Sequence, residues 1–311
     1  MSRRFDKEVV IAEIRSCTLR RSTKRKRLLT SPPGFGRRRC VNTHRTRPAG
    51  FEFPSLSVLS PMSTVVGVIP ARLASTRLPG KLLLSETGRS LLQHTWENAR
   101  RAKSLSEVVI AADGPEIAAV ARSFGATCFL TGEHPSGTDR IADVARRHLP
   151  DADLLVNIQG DEPELDPSHI DRLVETMRSS SAEMATLGTP IRDRVELDSP
   201  SCVKIALGGD GQAIYFSRSP IPHVRDADPD ALLAGDSPWL LHLGIYAYRR
   251  DFLLRLTTLP PSRLEQLEKL EQLRALEAGA AIKVAVVEHR CVGIDTPEDY
   301  TRFVARRRRA A

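Results

Sequence analysis

The chain has 311 residues, which is enough for one large domain with its own apolar core. With 41% hydrophobic and 27% charged residues, its composition is ordinary for a soluble protein. No run of about 18 or more uncharged apolar residues occurs, so the sequence predicts no membrane span. The formal net charge is +8.

This positive charge belongs to the first fifth of the chain. Residues 1–62 contain 15 Lys and Arg but only four acidic residues, a net charge of +11. Residues 63–311 have a net charge of −3. A nucleic-acid-binding function for the whole protein would therefore rest on the N-terminal segment and not on the body, for which we predict no nucleic-acid partner.

The N-terminal segment, residues 1–62, shows no sustained hydrophobic periodicity and carries basic clusters at 24–27 and 37–39. Such a segment cannot bury enough apolar surface to offset its chain entropy, so we predict that it is disordered. Three interpretations stay open. The segment is a mistaken translation start, with Met62 the true first residue, or an Arg-rich transit peptide, or an arm that binds nucleic acid or a membrane.

The cysteines are odd in number, widely spaced and without a C-x-x-C pair: Cys17, Cys40, Cys128, Cys202 and Cys291. This pattern favours a reducing compartment and argues against both a disulfide framework and a zinc site. We interpret the cysteines as small buried hydrophobic residues.

From Thr64 onwards, short apolar runs alternate with amphipathic stretches. The runs predict strands at 64–70, 108–112, 127–130, 154–158 and 184–187. The stretches between them predict helices at about 90–102, 115–123, 138–148 and 168–179. This alternation predicts an α/β domain over residues 63–311 with a doubly wound, mostly parallel sheet.

The alternation breaks between residues 190 and 250, where shorter extended pieces and turn signals predict a smaller antiparallel insertion. We expect this insertion to form the subunit interface. One helix is predicted from Ser262 to about Ala278, because Ser262 and Glu265 form a capping box and Gly279 suits the C-terminal stop. A strand at 282–287 and a helix from about Pro297 follow.

The loop Ile69–Lys81, with the sequence IPARLASTRLPGK, follows the first strand. An open α/β sheet binds its ligand at this edge. Arg72, Arg77 and Lys81 can neutralise phosphate charge, and the small residues between them let backbone N–H groups approach a polyanion. The loop is neither a P-loop nor a G-x-G-x-x-G turn. We predict a phosphate-binding loop rather than a solvated basic one.

Two acidic segments follow later strands. Val156–Pro163 carries Asp161 just after an apolar strand, and Gly293–Asp299 carries Asp295 just before a helix. Hard cations such as Mg²⁺ take carboxylate oxygens together with substrate phosphates. The alternatives are a simple turn for the first segment and a helix cap for the second, the latter compatible with a metal-ligand role.

Three further stretches carry polar side chains that suit binding or structure equally well: 134–140, 216–218 and 242–246. His242 is read either as a ligand or as a satisfied core histidine, and Arg218 either as a ligand or as a surface ion-pair partner.

Seven motifs in one order resemble those of the 3-deoxy-manno-octulosonate cytidylyltransferases (CMP-Kdo synthetases), whose fold is that of nucleotide-diphospho-sugar transferases. They cover essentially all of 63–305: Ile69–Lys81, Ser136–Arg140, Val156–Pro163, Tyr215–Arg218, His242–Tyr246, Leu270–Arg274 and Asp295–Asp299. Residues before Met62 match nothing in the family pattern. Leu82 departs from it, since proline is common there.

The resemblance implies that CTP and the sugar acid Kdo give CMP-Kdo and pyrophosphate, with Mg²⁺ as cofactor, for lipopolysaccharide biosynthesis in the bacterial cytosol. It also implies a homodimer. By matching position, the catalytic residues would be Arg72, Lys81, Asp161 and Asp295, of which Asp161 and Asp295 ligate the metal. The nucleotide would be bound by Pro70, Ala71, Arg72, Arg77, Lys81, Ser136, Arg140 and Gln159. The sugar acid would be bound by Arg218, His242, Tyr246, Glu271 and Gln272.

Other functions remain as alternatives. Within the same chemistry, the acceptor would be another sugar acid, such as 8-amino-Kdo or a sialic acid. In other classes, the basic segment would make the protein a nucleic-acid binder, or the domain would be an inactive nucleotide-binding scaffold, which the presence of both aspartates argues against.

Overall fold

The computed structural model describes residues 63–310. The predictions made for residues 1–62 lie outside these residues. Within them, nine strands belong to one sheet: β1 (Val65–Ala71), β2 (Glu107–Ala112), β3 (Thr127–Leu130), β4 (Leu154–Asn157), β5 (Met184–Pro190), β6 (Lys204–Leu207), β7 (Ala213–Ser217), β8 (Leu240–Arg249) and β9 (Ile282–Val286).

Helices connect most of these strands: α1 (Leu91–Ala99), α2 (Pro115–Ser123), α3 (Gly137–His148), α4 (Pro167–Arg178), α5 (Arg194–Asp198), α6 (Pro229–Ala234), α7 (Arg250–Leu256), α8 (Arg263–Glu268), α9 (Gln272–Glu277) and α10 (Pro297–Ala310). Several begin at a side-chain cap: Ser90, Ser136 and Asp166 each accept a backbone N–H of the first turn. Over residues 63–310, no helix is both long and apolar enough to cross a bilayer.

The strand order of the main sheet is β3-β2-β1-β4-β8-β5-β9. The pairs β1–β2, β1–β4, β2–β3 and β5–β9 are parallel, whereas β8 runs antiparallel to both β4 and β5. The sheet is therefore mostly parallel, as predicted, with one reversed strand near its centre. The loops after β1, β2 and β4 meet at one edge of the sheet.

Both faces of the sheet are covered. Alternate residues of β1 point to opposite sides, so that Val65 and Ile69 join one apolar cluster and Val66 and Val68 the other. The first cluster is closed by side chains of α1, α2 and α4, and the second by side chains of α3 and α7. This double coverage is the reason why β1 is a nearly continuous apolar run.

Two features differ from the sequence predictions. The range 190–250 supplies β6, β7 and β8, but only β6 and β7 lie off the main path, because β8 is part of the central sheet. The single helix predicted over 262–278 is wrong: α8 and α9 are separated at Lys269, which has the left-handed φ of 55°. The predicted capping box of Ser262 and Glu265 is present, and Gly279 ends α9 with a φ of 80°.

Candidate active site

The centre of the candidate site is the ammonium group of Lys81. Its Nζ lies 2.5 Å from Asp161 Oδ2 and 2.9 Å from Asp295 Oδ1, and it also donates to the carbonyl of Ile294 at 3.0 Å. Three chain segments far apart in sequence thus converge on one point, as the sheet-edge argument predicted. The two predicted metal ligands face a single cation.

Local structure explains this convergence. Gly80 adopts a φ of 63°, which few residues other than glycine adopt, and starts a short 3-10 helix at Lys81–Leu83. The backbone N–H of Ile294 donates to the carbonyl of Asp161 at 2.9 Å, which ties the two acidic segments together. Thr296 caps α10 by exchanging hydrogen bonds with Asp299, as the helix-start interpretation predicted.

The charges at this point are unevenly exposed. The side chain of Lys81 is 13% exposed and that of Asp295 is 45% exposed. Burial lowers the pKa of Lys81, but the charge and hydrogen bond of Asp161, together with Asp295, outweigh it and raise the pKa overall. Burial, with the charge of Asp161, raises the pKa of the neighbouring Glu162 to about 7. Lys81 is thus a firmly charged cation held by two carboxylates.

The other cations of the loop lie at its surface. Arg77 pairs with Asp295 Oδ2 at 2.9 Å, with 64% of its side chain exposed. Arg72 is also exposed. Arg72 and Arg77 belong to the same loop as Lys81, so both can reach a polyanion that binds at Lys81. Neither side chain is buried in the core.

The backbone of the loop after β1 is anchored by Asp113, at the end of β2. Its carboxylate accepts the N–H of Leu73 at 3.0 and 3.1 Å, while its own N–H donates to Ala71 O. Pro70 faces Gly137 at the start of α3, where a Cβ would lie 3.3 Å from Pro70 Cγ. The loop backbone at Pro70 and Ala71 is therefore fixed close to the N-terminus of α3.

Ser136 and Arg140, two predicted nucleotide ligands, make hydrogen bonds that hold local structure. Ser136 Oγ accepts the N–H of Asp139 at 3.2 Å and donates to its carboxylate at 2.8 Å. Arg140 is only 6% exposed and donates to Thr131 Oγ1 and to the carbonyl of Gly132. Burial lowers the pKa of Arg140. Both residues therefore stabilise local structure, and both lie beside the loop that follows β1.

Gln159 links the acidic segment to β8. Its Nε2 donates to the carbonyl of Gly244 at 2.9 Å. Gly244 lies in a bulge of β8, where the register with β5 shifts between Thr186 and Leu187. His242 and Tyr246 lie on either side of the bulge, with ring centroids 5.3 Å apart. The structure thus brings two predicted sugar ligands together and connects them to the segment of Asp161.

A small cavity lies beside Tyr246. Six of its lining side chains can exchange hydrogen bonds with a ligand: Thr138, Tyr246, Tyr248, Glu271, Gln272 and Arg274. Glu271 accepts a hydrogen bond from Thr138 Oγ1 at 2.8 Å. Gln272 is 3% exposed, and its Nε2 has no partner within residues 63–310. Burial, with the charge of Glu271 adding to it, raises the pKa of Tyr246, so its phenol stays neutral. The cavity volume of about 20 Å³ holds about one water-sized group, so the polar lining suits a single hydroxyl group of a ligand.

Arg218 is held by backbone carbonyls. Its guanidinium donates to Glu268 O at 2.6 Å, to Pro200 O at 2.8 Å and to Lys269 O at 3.3 Å. The break between α8 and α9 leaves the carbonyls of Glu268 and Lys269 open to this contact. Arg218 is thus not the surface ion-pair partner of one interpretation, because its guanidinium is held by three backbone carbonyls.

Comparisons with known proteins agree with this geometry. Residues 66–283 match the model of the family described as Cytidylyltransferase. The 3-deoxy-manno-octulosonate cytidylyltransferase of Rhodopirellula baltica is 52% identical over 242 residues, covering 77% of this chain and 96% of that protein. Its counterpart in Nitratidesulfovibrio vulgaris is 47% identical over 244 residues, covering 78% and 95%.

This chain belongs to the 3-deoxy-manno-octulosonate cytidylyltransferase family. A solved structure of CMP:2-keto-3-deoxy-manno-octonic acid synthetase complexed with CTP is similar to it, with 39% identity and a TM-score of 0.74. That match covers 80% of this chain and 100% of the other. The recognition from sequence motifs and the α/β fold class are confirmed.

The donor set of this cytidylyltransferase fits Mg²⁺. In the part of the chain that the structure describes, no three or more His, Cys, Asp or Glu side chains group to hold a metal ion. Mg²⁺, however, is usually bound by one or two carboxylates together with water and substrate phosphates. Asp161 and Asp295 already converge on one cation, Lys81 Nζ, so their oxygens can face a divalent ion at the same edge.

Sequence reasoning missed several polar residues around the site. Asp113 anchors the loop, Thr138 and Tyr248 line the cavity, and Asn157 is 4% exposed with an Oδ1 that has no partner within residues 63–310. Thr186 contacts His242. Asp113 and Asn157 each stand at the end of an apolar strand, which is a signal that could have found them. Thr186 lies within a strand and had no such signal.

Proposed function

We propose that this protein transfers the cytidylyl group of CTP to the sugar acid Kdo. The main structural support for this proposal is the convergence of Lys81, Asp161 and Asp295 at the carboxyl edge of the sheet. The relatives named above support the choice of CTP and Kdo. In the reaction, the anomeric hydroxyl oxygen of the sugar forms a bond to the α-phosphorus, the bond from that phosphorus to the β-phosphate oxygen breaks, and pyrophosphate leaves. The hydroxyl proton passes to solvent.

The chain's own contribution is positioning and charge neutralisation, because the reaction needs no enzyme nucleophile. Arg72, Arg77 and Lys81 would bind the triphosphate and stabilise the charge that develops on pyrophosphate. Lys81 would then exchange its carboxylate partners for phosphate oxygens. The backbone at Pro70 and Ala71 would hold the nucleoside, since Asp113 and Gly137 keep it in place.

Ser136, Arg140 and Gln159 complete the proposed nucleotide site. Ser136 lies at the N-terminus of α3, where unpaired N–H groups favour an anion or a carbonyl oxygen. Arg140 and Gln159 are held by contacts with Gly132 and Gly244. A side chain already fixed in one conformation loses little entropy when a ligand binds.

Asp161 and Asp295 would hold Mg²⁺. When bound there, Mg²⁺ would supply positive charge that stabilises phosphate oxygens and favours loss of the sugar hydroxyl proton. The two aspartates would orient the groups that meet at this edge, and the hydrogen bond from Ile294 N–H to Asp161 O links the segments that carry them.

The sugar acid would lie against Tyr246, with one hydroxyl group in the small cavity there. Glu271, Gln272, Tyr246 and His242 offer hydrogen-bond donors and acceptors to its hydroxyls. Arg218 would face the carboxylate with the N–H groups that its three carbonyl contacts leave free. The amide nitrogen of Gln272, which has no partner among residues 63–310, supports this placement, because a buried donor without a partner is costly until a ligand satisfies it.

The homodimer, the absence of a nucleic-acid partner and the cytosolic location stay predictions. Light scattering of the purified chain measures the oligomeric state, and a monomer at micromolar concentration would contradict the dimer.

The proposed function is tested by pyrophosphate release. With CTP and Mg²⁺, we expect turnover with Kdo to exceed that with 8-amino-Kdo or a sialic acid. Equal turnover with another sugar acid would contradict the choice of Kdo.

A chain that begins at Met62 should keep full activity, whereas loss of the main activity would favour the nucleic-acid-binding alternative.

A further inference from the structure

Thr186 lies on β5, directly opposite the bulge of β8. It is fully buried, with 0% of its surface exposed. Its Oγ1 lies 3.0 Å from His242 Nε2, 3.1 Å from Leu243 O and 2.8 Å from Ile245 O. One hydroxyl group therefore faces three possible partners, and the ladder between the two strands is interrupted at this place.

The directions of the hydrogen bonds at this hydroxyl follow from counting donors and acceptors. A threonine hydroxyl has one hydrogen to donate and two lone pairs, whereas both carbonyl oxygens only accept. If the hydrogen points to His242 Nε2, neither carbonyl receives it and one hydrogen bond results. If it points to Ile245 O, the shortest contact, Oγ1 is free to accept an N–H from His242, and two hydrogen bonds result. The second arrangement satisfies more buried polar atoms.

We propose that Thr186 is a positioning residue that holds His242 in the tautomer with the proton on Nε2. The other ring nitrogen, Nδ1, then carries a lone pair. Within residues 63–310, His242 uses Nε2 for its contact with the protein, which leaves Nδ1 for a ligand. The imidazole is thus an acceptor of a hydroxyl hydrogen of the sugar acid and not a cation for its carboxylate. This assignment of the ligand rests on the proposed function.

The surroundings of the ring agree with a neutral imidazole. Burial lowers the pKa of His242 to about 3. Its ring packs edge-on against Phe216, with centroids 5.1 Å apart, and lies beside Tyr246, which lines the cavity. Both neighbours are uncharged. The carboxylate of the sugar acid is therefore left to Arg218.

The tautomer is measured directly by long-range ¹H–¹⁵N NMR of the unliganded wild-type protein. We expect a proton on Nε2 of His242 and none on Nδ1, with the signal assigned by its absence from the His242→Gln spectrum. A proton on Nδ1, or a doubly protonated ring at neutral pH, overturns the proposal. This measurement needs neither a Thr186 variant nor a substrate, so it stands whatever the sugar acid is.

Two variants test the positioning role. Thr186→Val keeps the shape of the side chain but removes the hydroxyl, so we expect a mixed tautomer and a KM for the sugar acid about tenfold higher. The KM for CTP should change much less. Thr186→Ser keeps the hydroxyl and should restore both the tautomer and the KM.

The outcomes separate the two proposals. If the NMR result is as expected but Thr186→Val leaves the KM for the sugar acid unchanged, Thr186 does not position a ligand-binding histidine. If no sugar acid is turned over by the wild-type protein, the proposed function fails while the tautomer result still decides the arrangement of Thr186 and His242.

Discussion

Lys81 Nζ lies 2.5 Å from Asp161 Oδ2, although 80 residues separate the two in the chain. The contact joins the loop after β1 to the segment after β4, and these strands are neighbours in the sheet. The ammonium is also 2.9 Å from Asp295. One lysine thus contacts both carboxylates that we assign to Mg²⁺, and we expect Lys81 to change partners when phosphate and metal bind.

Asp161→Asn should abolish most of the turnover. The amide keeps the shape of the side chain but removes the charge that faces Lys81 and the metal, so we expect kcat/KM to fall by about 10³-fold. Pyrophosphate release measures this, and circular dichroism checks the fold. The matched control is Asp151→Asn, at an exposed position. Activity of the Asp161 variant equal to that of the control would remove Asp161 from the metal site.

Arg218→Lys should affect both stability and sugar binding. The guanidinium holds three backbone carbonyls, and an ammonium cannot reach all of them, so we expect the free energy of unfolding to fall by about 1–2 kcal/mol. The KM for the sugar acid should rise. Urea unfolding and steady-state kinetics measure the two effects. Arg225→Lys is the control, since Arg225 is 89% exposed; equal stability of both variants would contradict the structural role.

Lys204→Met should destabilise the protein strongly. Lys204 is 0% exposed, and its ammonium donates to Ser199 O, Cys202 O and Arg218 O at 2.7 to 2.8 Å. Methionine fills the space but leaves three carbonyls without this donor, so the free energy of unfolding should fall by about 3 kcal/mol. Lys103→Met, at an exposed position, should change it little. Chemical denaturation of the two variants in parallel measures this difference in stability, and equal stability would contradict the prediction.

Acid should destabilise the wild-type protein through His242. Its pKa is about 3 in the folded chain, below the ordinary value of 6.5, so the unfolded chain binds the additional proton between these values. The stability present above pH 6.5 is therefore lost as the pH falls towards 3. At about pH 5 this loss should amount to about 2 kcal/mol at most.

The measurement for His242 compares unfolding of the wild-type protein and His242→Gln over that pH range. Glutamine does not titrate, so the variant should lose less stability on acidification, while all other groups titrate equally in both proteins. Parallel curves for the two proteins would show that burial does not hold His242 neutral.

Much of this site could be predicted because its residues follow strands. Arg72, Lys81 and Asp161 stand just beyond β1 and β4, and parallel strands place such residues at one edge. Ser262, Glu265 and Gly279 were identified correctly because caps depend on local chemistry. The prediction of a single helix over 262–278 was wrong because the carbonyls at the break between α8 and α9 accept hydrogen bonds from Arg218, about 50 residues earlier in the chain.

The sequence by itself determined the alternation of strands and helices, the cationic loop and the two acidic segments, since apolar periodicity and capping act over a few residues. Only the tertiary structure decided that β8 enters the sheet between β4 and β5 and that its bulge meets Thr186. Strand register and the partners of buried polar atoms depend on contacts between distant segments, which no local pattern encodes.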